Sequence, residues 1–319
     1  MPFWGVQRIV ITGLLCLLPV LQAFAGTPAV IAHRGASAYL PEHTLEAYTL
    51  AHAMGADYIE PDLVMTKDGR LICLHDIHLE GTTNVKERYP DRNREDGRWY
   101  AADFTLAEIK TLEARERLPN RFPVGHARFE VPTFEEMIEL VQGLNKTTGR
   151  EAGIYPELKD PVWHRKAGLP MEETILDVLT RYGYTGPEAK VFIQCFDMET
   201  LKRLRHELKS ELPMIALISD HRMQDALLTE AGLDAIAEYA NGIGPDKRRI
   251  EKDPDLVKRA QARGLAVHPY TLRADAFPPK YGSFEEELRQ YYIVWGVDAL
   301  FTDNPDLAVK VLTREGRRP

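Results

Sequence analysis

Eight short β-rich runs, each followed by a helix-like segment, predict an α/β domain built as a single (β/α)8 barrel. Such alternation implies a parallel sheet, and eight repeats within 319 residues favour a closed barrel over an open sheet. Hydrophobic residues make up 44% and charged residues 28%, which excludes intrinsic disorder and a multi-span membrane protein. A formal net charge of −8 argues against a broad electrostatic grip on nucleic acid. Three cysteines without a CxxC pair exclude a disulfide scaffold and a thiolate zinc site.

The first 25 residues are different in kind. A single charge, Arg8, precedes an apolar run over 9–21 that only Thr12, Gly13 and Pro19 interrupt, and Ala23-Phe24-Ala25 follows. This is the pattern of a secretory signal peptide cut after Ala25. Its core falls short of the ~20 residues that a spanning helix needs, so no stable membrane anchor is expected after cleavage. Cys73 and Cys195 remain in the mature chain. They could pair in an exported protein, but both sit in apolar strand-like runs and read as small buried hydrophobes.

The predicted strands are 29–33, 58–65, 153–158, 190–196, 214–218, 234–237, 265–270 and 299–302. Helix-like partners fall at 45–54, 171–182, 199–207, 222–231, 254–262, 284–295 and 306–312. Thr133 with Glu136 and Ser283 with Glu286 have the spacing of capping boxes. One stretch departs from the alternation. Residues 76–130 hold eleven acidic and ten basic side chains and one short helix, 105–113, opened by a Thr105/Glu108 capping box. It reads as a small insertion subdomain after the second strand, set over one end of the barrel.

Barrel chemistry gathers at the carboxyl ends of strands. Those ends carry His33-Arg34-Gly35, Glu60-Pro61-Asp62, Glu157-Leu158-Lys159, Gln194-Cys195-Phe196 and His268-Pro269-Tyr270. Glu60 and Asp62 are two apart on a strand and share a face. Glu157 adds a third oxygen donor, and an all-carboxylate set suits a hard cation, Ca²⁺ or Mg²⁺. Taken alone, each carboxylate could instead pair with a nearby Arg or Lys. Asp68-Gly69 between extended runs reads as a two-residue type I′ hairpin turn. That turn pairs Lys67 with Arg70 and, counted onward, Asp62 with His75, bringing an imidazole beside the carboxylates. Two histidines, Arg34, Lys159 and a cation suit phosphoryl chemistry. One imidazole accepts a proton from the nucleophile, the other gives one to the leaving oxygen, and Arg34 with the cation neutralises the phosphate. Phe196 and Tyr270 can cover the substrate or pack the barrel, and Gln194 shares the face of Phe196. His52, His78, His126, His164, His206 and His221 read as surface or satisfied-core residues, and His268 as structural.

These residues resemble a known family. His33-Arg34-Gly35-Ala36, Pro41-Glu42-His43-Thr44, the run from Gly55 to Asp62, and His75-Asp76 are similar to glycerophosphodiester phosphodiesterases. The likeness continues through Tyr155–Lys159, Gln194–Asp197, Asn241–Pro245, Val267–Thr271 and Phe301-Thr302-Asp303, and is strongest to the periplasmic bacterial branch. The resemblance implies a (β/α)8 barrel with an insertion after the second strand. It implies His33 and His75 as the catalytic pair and Glu60, Asp62 and Glu157 as metal ligands, usually for Ca²⁺. Arg34 and Lys159 stand at phosphate-contacting positions. His43 replaces an Asn common in the family, and Pro61 a polar residue.

The expected activity is metal-dependent hydrolysis of glycerophosphodiesters, such as glycerophosphocholine and glycerophosphoethanolamine, to sn-glycerol 3-phosphate and an alcohol. The attacking group, water or the glycerol 2-hydroxyl, stays open. So does the oligomeric state, a dimer being one option. The alternative is an exported glycerophosphodiester-binding or surface interaction protein without turnover.

Overall fold

The computed structural model describes Met1 and residues 27–318, so the predicted signal peptide lies outside the described residues apart from Met1. Eleven strands form among the described residues. They are β1 Ala29–His33, β2 Tyr58–Glu60, β3 Asp62–Met65, β4 Leu71–Cys73, β5 Gly153–Ile154 and β6 Glu157–Leu158. The rest are β7 Ile193–Cys195, β8 Met214–Ile218, β9 Gly242–Pro245, β10 Ala266–Val267 and β11 Ala299–Thr302. The hydrogen-bonded orders are β11-β1-β2-β5 and β10-β9-β8-β7-β6-β3-β4, all parallel but for the β3–β4 pair.

Prolines explain why two predicted strands become four. Pro61 separates β2 from β3, and Pro156 separates β5 from β6, each lacking the N–H that a ladder requires. The two breaks lie side by side, Glu157 donating its N–H to the Pro61 carbonyl at 2.9 Å. The chain beyond β10 runs beside β11: Asp298 donates to Val267 O at 3.1 Å and Phe301 to Pro269 O at 3.0 Å.

One predicted strand is wrong. Residues 234–237 belong to the helix Glu230–Ala237, and the strand is β9, Gly242–Pro245. Its two glycines and a proline hide it from strand propensity, yet Gly242 lies against Ile215 and Ala266, where no side chain fits. Other bounds shift as well. The helix at 105–113 shortens to Leu106–Ile109. The segment 222–231 is a 3₁₀ stretch, Arg222–Leu228, before the next helix. Helices at 199–207 and 284–295 end as π-helical Arg203–Glu207 and Gln290–Trp295.

Local signals elsewhere hold. Both halves of the capping boxes form at Thr105/Glu108 and Thr133/Glu136, while Ser283 accepts the Glu286 N–H. The helix Phe134–Thr148 buries Phe134, Met137, Ile138 and Val141 along one stripe. Burying each such side chain stabilises the fold by about 1.5–3 kcal/mol. Cys73 and Cys195 are buried and free, in keeping with packing roles. His164 departs from expectation: it is fully buried and neither ring nitrogen has a partner among the described residues. Burial lowers its pKa to about 4, so it stays neutral. Within 74–131, Leu79, Val85, Trp99, Phe104, Ile109, Leu112 and Phe129 form a second hydrophobic cluster that is seated on Val64 of β3 and Ile72 of β4. No helix among the described residues is long and apolar enough to cross a membrane.

The turn after β1 depends on one glycine. Gly35 has φ +85°, and a Cβ there would lie 2.8 Å from the Ala47 backbone carbon. Gly69, with φ +75°, has open space around it. Gly69→Ala therefore carries only left-handed strain of about 1–2 kcal/mol, whereas Gly35→Ala adds a backbone collision. In urea titrations Gly35→Ala is expected to lose clearly more stability than Gly69→Ala. Equal losses would refute the close-approach argument.

Candidate active site

Strand register assembles the site. His33 pairs with Glu60, Asp62 with Glu157, and Glu157 with Gln194, so the strand-end residues fall in adjacent rows. Glu60, Asp62 and Glu157 are all buried, and each brings a carboxylate oxygen within 4.8 Å of the others. A cavity of about 550 Å³ is lined by Glu60 and Glu157. Its walls include His33, Arg34, His75, Lys159, Phe196 and Tyr270.

His75 reaches this cavity by a different route from the one predicted. The hairpin loop has three residues, Lys67 to Gly69, closed by Thr66 N–H to Arg70 O at 2.9 Å. Gly69 in the left-handed region absorbs the extra residue. Leu63 therefore faces Cys73, and Leu74, not His75, lies against Asp62. A one-residue change of register moves a side chain to the other face of a strand. His75 escapes that consequence because β4 ends at Cys73, before it. The chain then turns the imidazole into the cavity, with Nδ1 2.8 Å from Asp76 Oδ1.

Hydrogen bonds define the state of His33. Its Nδ1 lies 2.7 Å from Asp303 Oδ1, and Arg34 Nε lies 3.2 Å from its Nε2. A carboxylate accepts and a guanidinium donates, so these partners assign the proton to Nδ1 and leave Nε2 unprotonated, its lone pair accepting the Arg34 N–H. Burial and then the Arg34 charge lower the His33 pKa to about 4, against the opposing pull of Asp303.

The two predicted phosphate contacts also serve the carboxylates. Arg34, at φ 57°, donates its backbone N–H to Glu60 Oε2 at 2.7 Å and Nη1 to Glu42 Oε1 at 2.9 Å. Lys159 Nζ donates to Glu157 Oε1 at 2.7 Å. Gln194 donates to Glu60 Oε1 at 3.0 Å, which aims its amide at that carboxylate. Phe196 and Tyr270 meet edge to face at 5.7 Å along the wall. His268 bonds the Tyr155 hydroxyl at 2.8 Å in the core, a structural role.

Three carboxylates thus face two cations. Burial, with Asp62 and Glu157 adding repulsion, pushes Glu60 well above the ordinary carboxylate range. Burial raises Glu157 to about 8, Lys159 opposing and Asp62 reinforcing the rise. Asp62 is buried too, yet Lys159, His75 and Arg34 hold it well below its usual value. The donor set is oxygen only and short of positive charge, which fits a hard divalent cation.

Several residues at this site had no role in the sequence reading. His43 spans the Tyr48 hydroxyl and Asp62 Oδ2, at 2.9 Å to each. Asp303 holds His33, and it was findable, since it follows β11 at a strand end. Arg117 bonds Glu42 at 2.8 Å and lines the cavity, as do Arg248 and Arg273. Arg117 comes from the mixed-charge segment, where no local pattern distinguishes it from its neighbours.

The glycerophosphoryl diester phosphodiesterase family matches residues 33–307 of the chain. A glycerophosphodiester phosphodiesterase of Haemophilus influenzae is 39% identical over 324 aligned positions, covering 89% of each protein. One from Treponema pallidum is 32% identical, covering 90% of this chain and 92% of that protein. The crystal structure of a provisionally named glycerophosphoryl diester phosphodiesterase from Silicibacter pomeroyi has a TM-score of 0.73 at 26% identity. It matches 93% of this chain and 97% of its own.

Proposed function

The chain belongs to the glycerophosphoryl diester phosphodiesterase family and is a hydrolase of that class, and from that premise we propose how it works. The substrates are glycerophosphodiesters such as glycerophosphocholine and glycerophosphoethanolamine, cleaved to sn-glycerol 3-phosphate and the free alcohol. The observation that carries this reading is one cavity lined by His33, His75, Arg34, Lys159, Glu60 and Glu157, with Asp62 buried beside the last two.

Glu60, Asp62 and Glu157 hold a divalent cation, Ca²⁺ in preference to Mg²⁺. Such an ion, when bound, supplies Lewis-acid stabilisation of the phosphate oxygens. Arg34 and Lys159 orient the phosphate as negative charge builds. His33 accepts the proton of the attacking group at Nε2, while Asp303 keeps the other ring nitrogen protonated. His75 donates a proton to the departing alcohol oxygen. Phe196 and Tyr270 wall off the cavity beside the substrate.

The fold reading extends in the same way. Hydrogen bonds from 298–301 to 267–269 support closure of the strands into a (β/α)8 barrel. The second hydrophobic cluster supports 76–130 as an insertion subdomain. Arg8, the apolar run and Ala23-Phe24-Ala25 support export, with cleavage after Ala25 and a mature domain of 26–319 in the periplasm.

Incubation of the protein with glycerophosphocholine should release glycerol 3-phosphate and choline in equal amounts. Binding without release would leave the family fold and discard the activity. A substrate lacking the glycerol 2-hydroxyl separates the two attacking groups. Its ready cleavage would exclude an obligatory cyclic phosphate intermediate.

A further inference from the structure

We propose that Arg121, carried by the charged segment far from β1 in sequence, is a positioning residue for His33 and acts through Asp303. The inference rests on His33 being the base. Arg121 Nη2 lies 2.5 Å from Asp303 Oδ2, whose other oxygen lies 2.7 Å from His33 Nδ1. Nη1 of the same guanidinium donates to Ser37 O at 2.9 Å, and Ser37 Oγ donates to His33 O at 2.8 Å. Nε and Nη2 also reach Asp275, at 3.0 and 3.3 Å. The side chains of Arg121 and Asp303 are 5% and 3% exposed, and neither lines the reaction cavity. Arg121 therefore touches no reacting atom. It grips the carboxylate that sets the tautomer of His33 and the loop carrying the His33 carbonyl.

A carboxylate bonded at one oxygen can rotate about its stem. A carboxylate bonded at both is fixed, and a planar guanidinium fork fixes it while also holding the Ser37 carbonyl. Without the guanidinium, Asp303 is a buried charge with a free oxygen, and the His33 ring loses its fixed direction. The charged segment is on this account part of the catalytic apparatus and not only a cover over it.

The test is the set Arg121→Ala, Arg121→Lys and Asp303→Asn in the full protein, with folding followed by circular dichroism. Arg121→Ala is expected to lower kcat by about 10- to 100-fold with KM within about threefold. Arg121→Lys should fall between Arg121→Ala and wild type, and added guanidinium should restore part of the Arg121→Ala rate. In the Asp303→Asn background the same substitution should cost little more, since its route is already cut. Nitrogen NMR of labelled histidine should show an Nδ1-protonated His33 in the wild type and a tautomer mixture in Arg121→Lys, a readout that survives if Arg121→Ala does not fold. A folded Arg121→Ala enzyme with unchanged kcat, an equal loss in the Asp303→Asn background, or an unaltered His33 tautomer in Arg121→Lys overturns the inference. If His33→Ala is inactive while Arg121→Ala is not, only the role of Arg121 falls; a fully active His33→Ala enzyme removes the base itself.

Discussion

His33→Ala is expected to lower kcat on glycerophosphocholine by about 10²- to 10⁴-fold, the usual contribution of a positioned acid or base, while the fold stays intact. His33 lines the cavity with Nε2 unprotonated and accepting from Arg34 Nε at 3.2 Å, and its side chain is 18% exposed. His75→Ala should cost a similar factor for a different reason. An alkoxide is a poor leaving group, and in the proposed mechanism His75 supplies the proton that makes it an alcohol. A substrate with a p-nitrophenol leaving group needs no such proton. His75→Ala should therefore recover most of its rate on that substrate, and His33→Ala should not. Recovery by His33→Ala alone would exchange the two roles, and wild-type turnover by either variant on the natural diester would refute the catalytic pair.

Removal of divalent cations is the second large effect. Excess chelator should abolish turnover and Ca²⁺ should restore it, because Glu60, Asp62 and Glu157 are left as three buried carboxylates against two cations. Full activity in excess chelator would refute the metal role. Stability gives an independent readout. Glu157 in the folded chain titrates at about 8, above its ordinary value of 4.5. A carboxyl raised in the folded state favours folding at low pH, and that advantage is lost as pH rises through the folded value. The chelated protein should accordingly lose stability between about pH 5 and 8. Bound Ca²⁺ stabilises the folded state by mass action and should flatten that slope. A slope unchanged by Ca²⁺ would place the ion elsewhere.

Much of the site was legible because its residues sit in short motifs. Glu60 and Asp62 share a strand neighbourhood, and Glu157 and His33 are read from strand ends by the same rule. The resemblance then joined motifs that periodicity alone could not connect. The misreadings have physical causes. Residues 234–237, Asp-Ala-Ile-Ala, suit a strand or a helix, and a four-residue window cannot choose. The true strand, Gly242–Pro245, is dictated by close approach of Ile215 and Ala266, which belong to other elements. The hairpin erred by one residue because Asp-Gly fits a two-residue turn and a three-residue turn with a bulge equally well.

Sequence alone determined the alternation of elements, the Glu60/Asp62 pair and the charged segment, since each is a local pattern, and strand ends together with the resemblance added Glu157, His33 and His75 as candidates. Only tertiary structure decided what holds them. His33 is directed by Asp303, 270 positions away, and Asp303 by Arg121, 182 positions away. His43 reaches Asp62, and Glu42 takes both Arg34 and Arg117. These are pairings between single charged side chains, without periodicity, on segments that meet only when the strands come together. A buried charge must find its partner in space, and nothing in the neighbouring sequence records which partner that is.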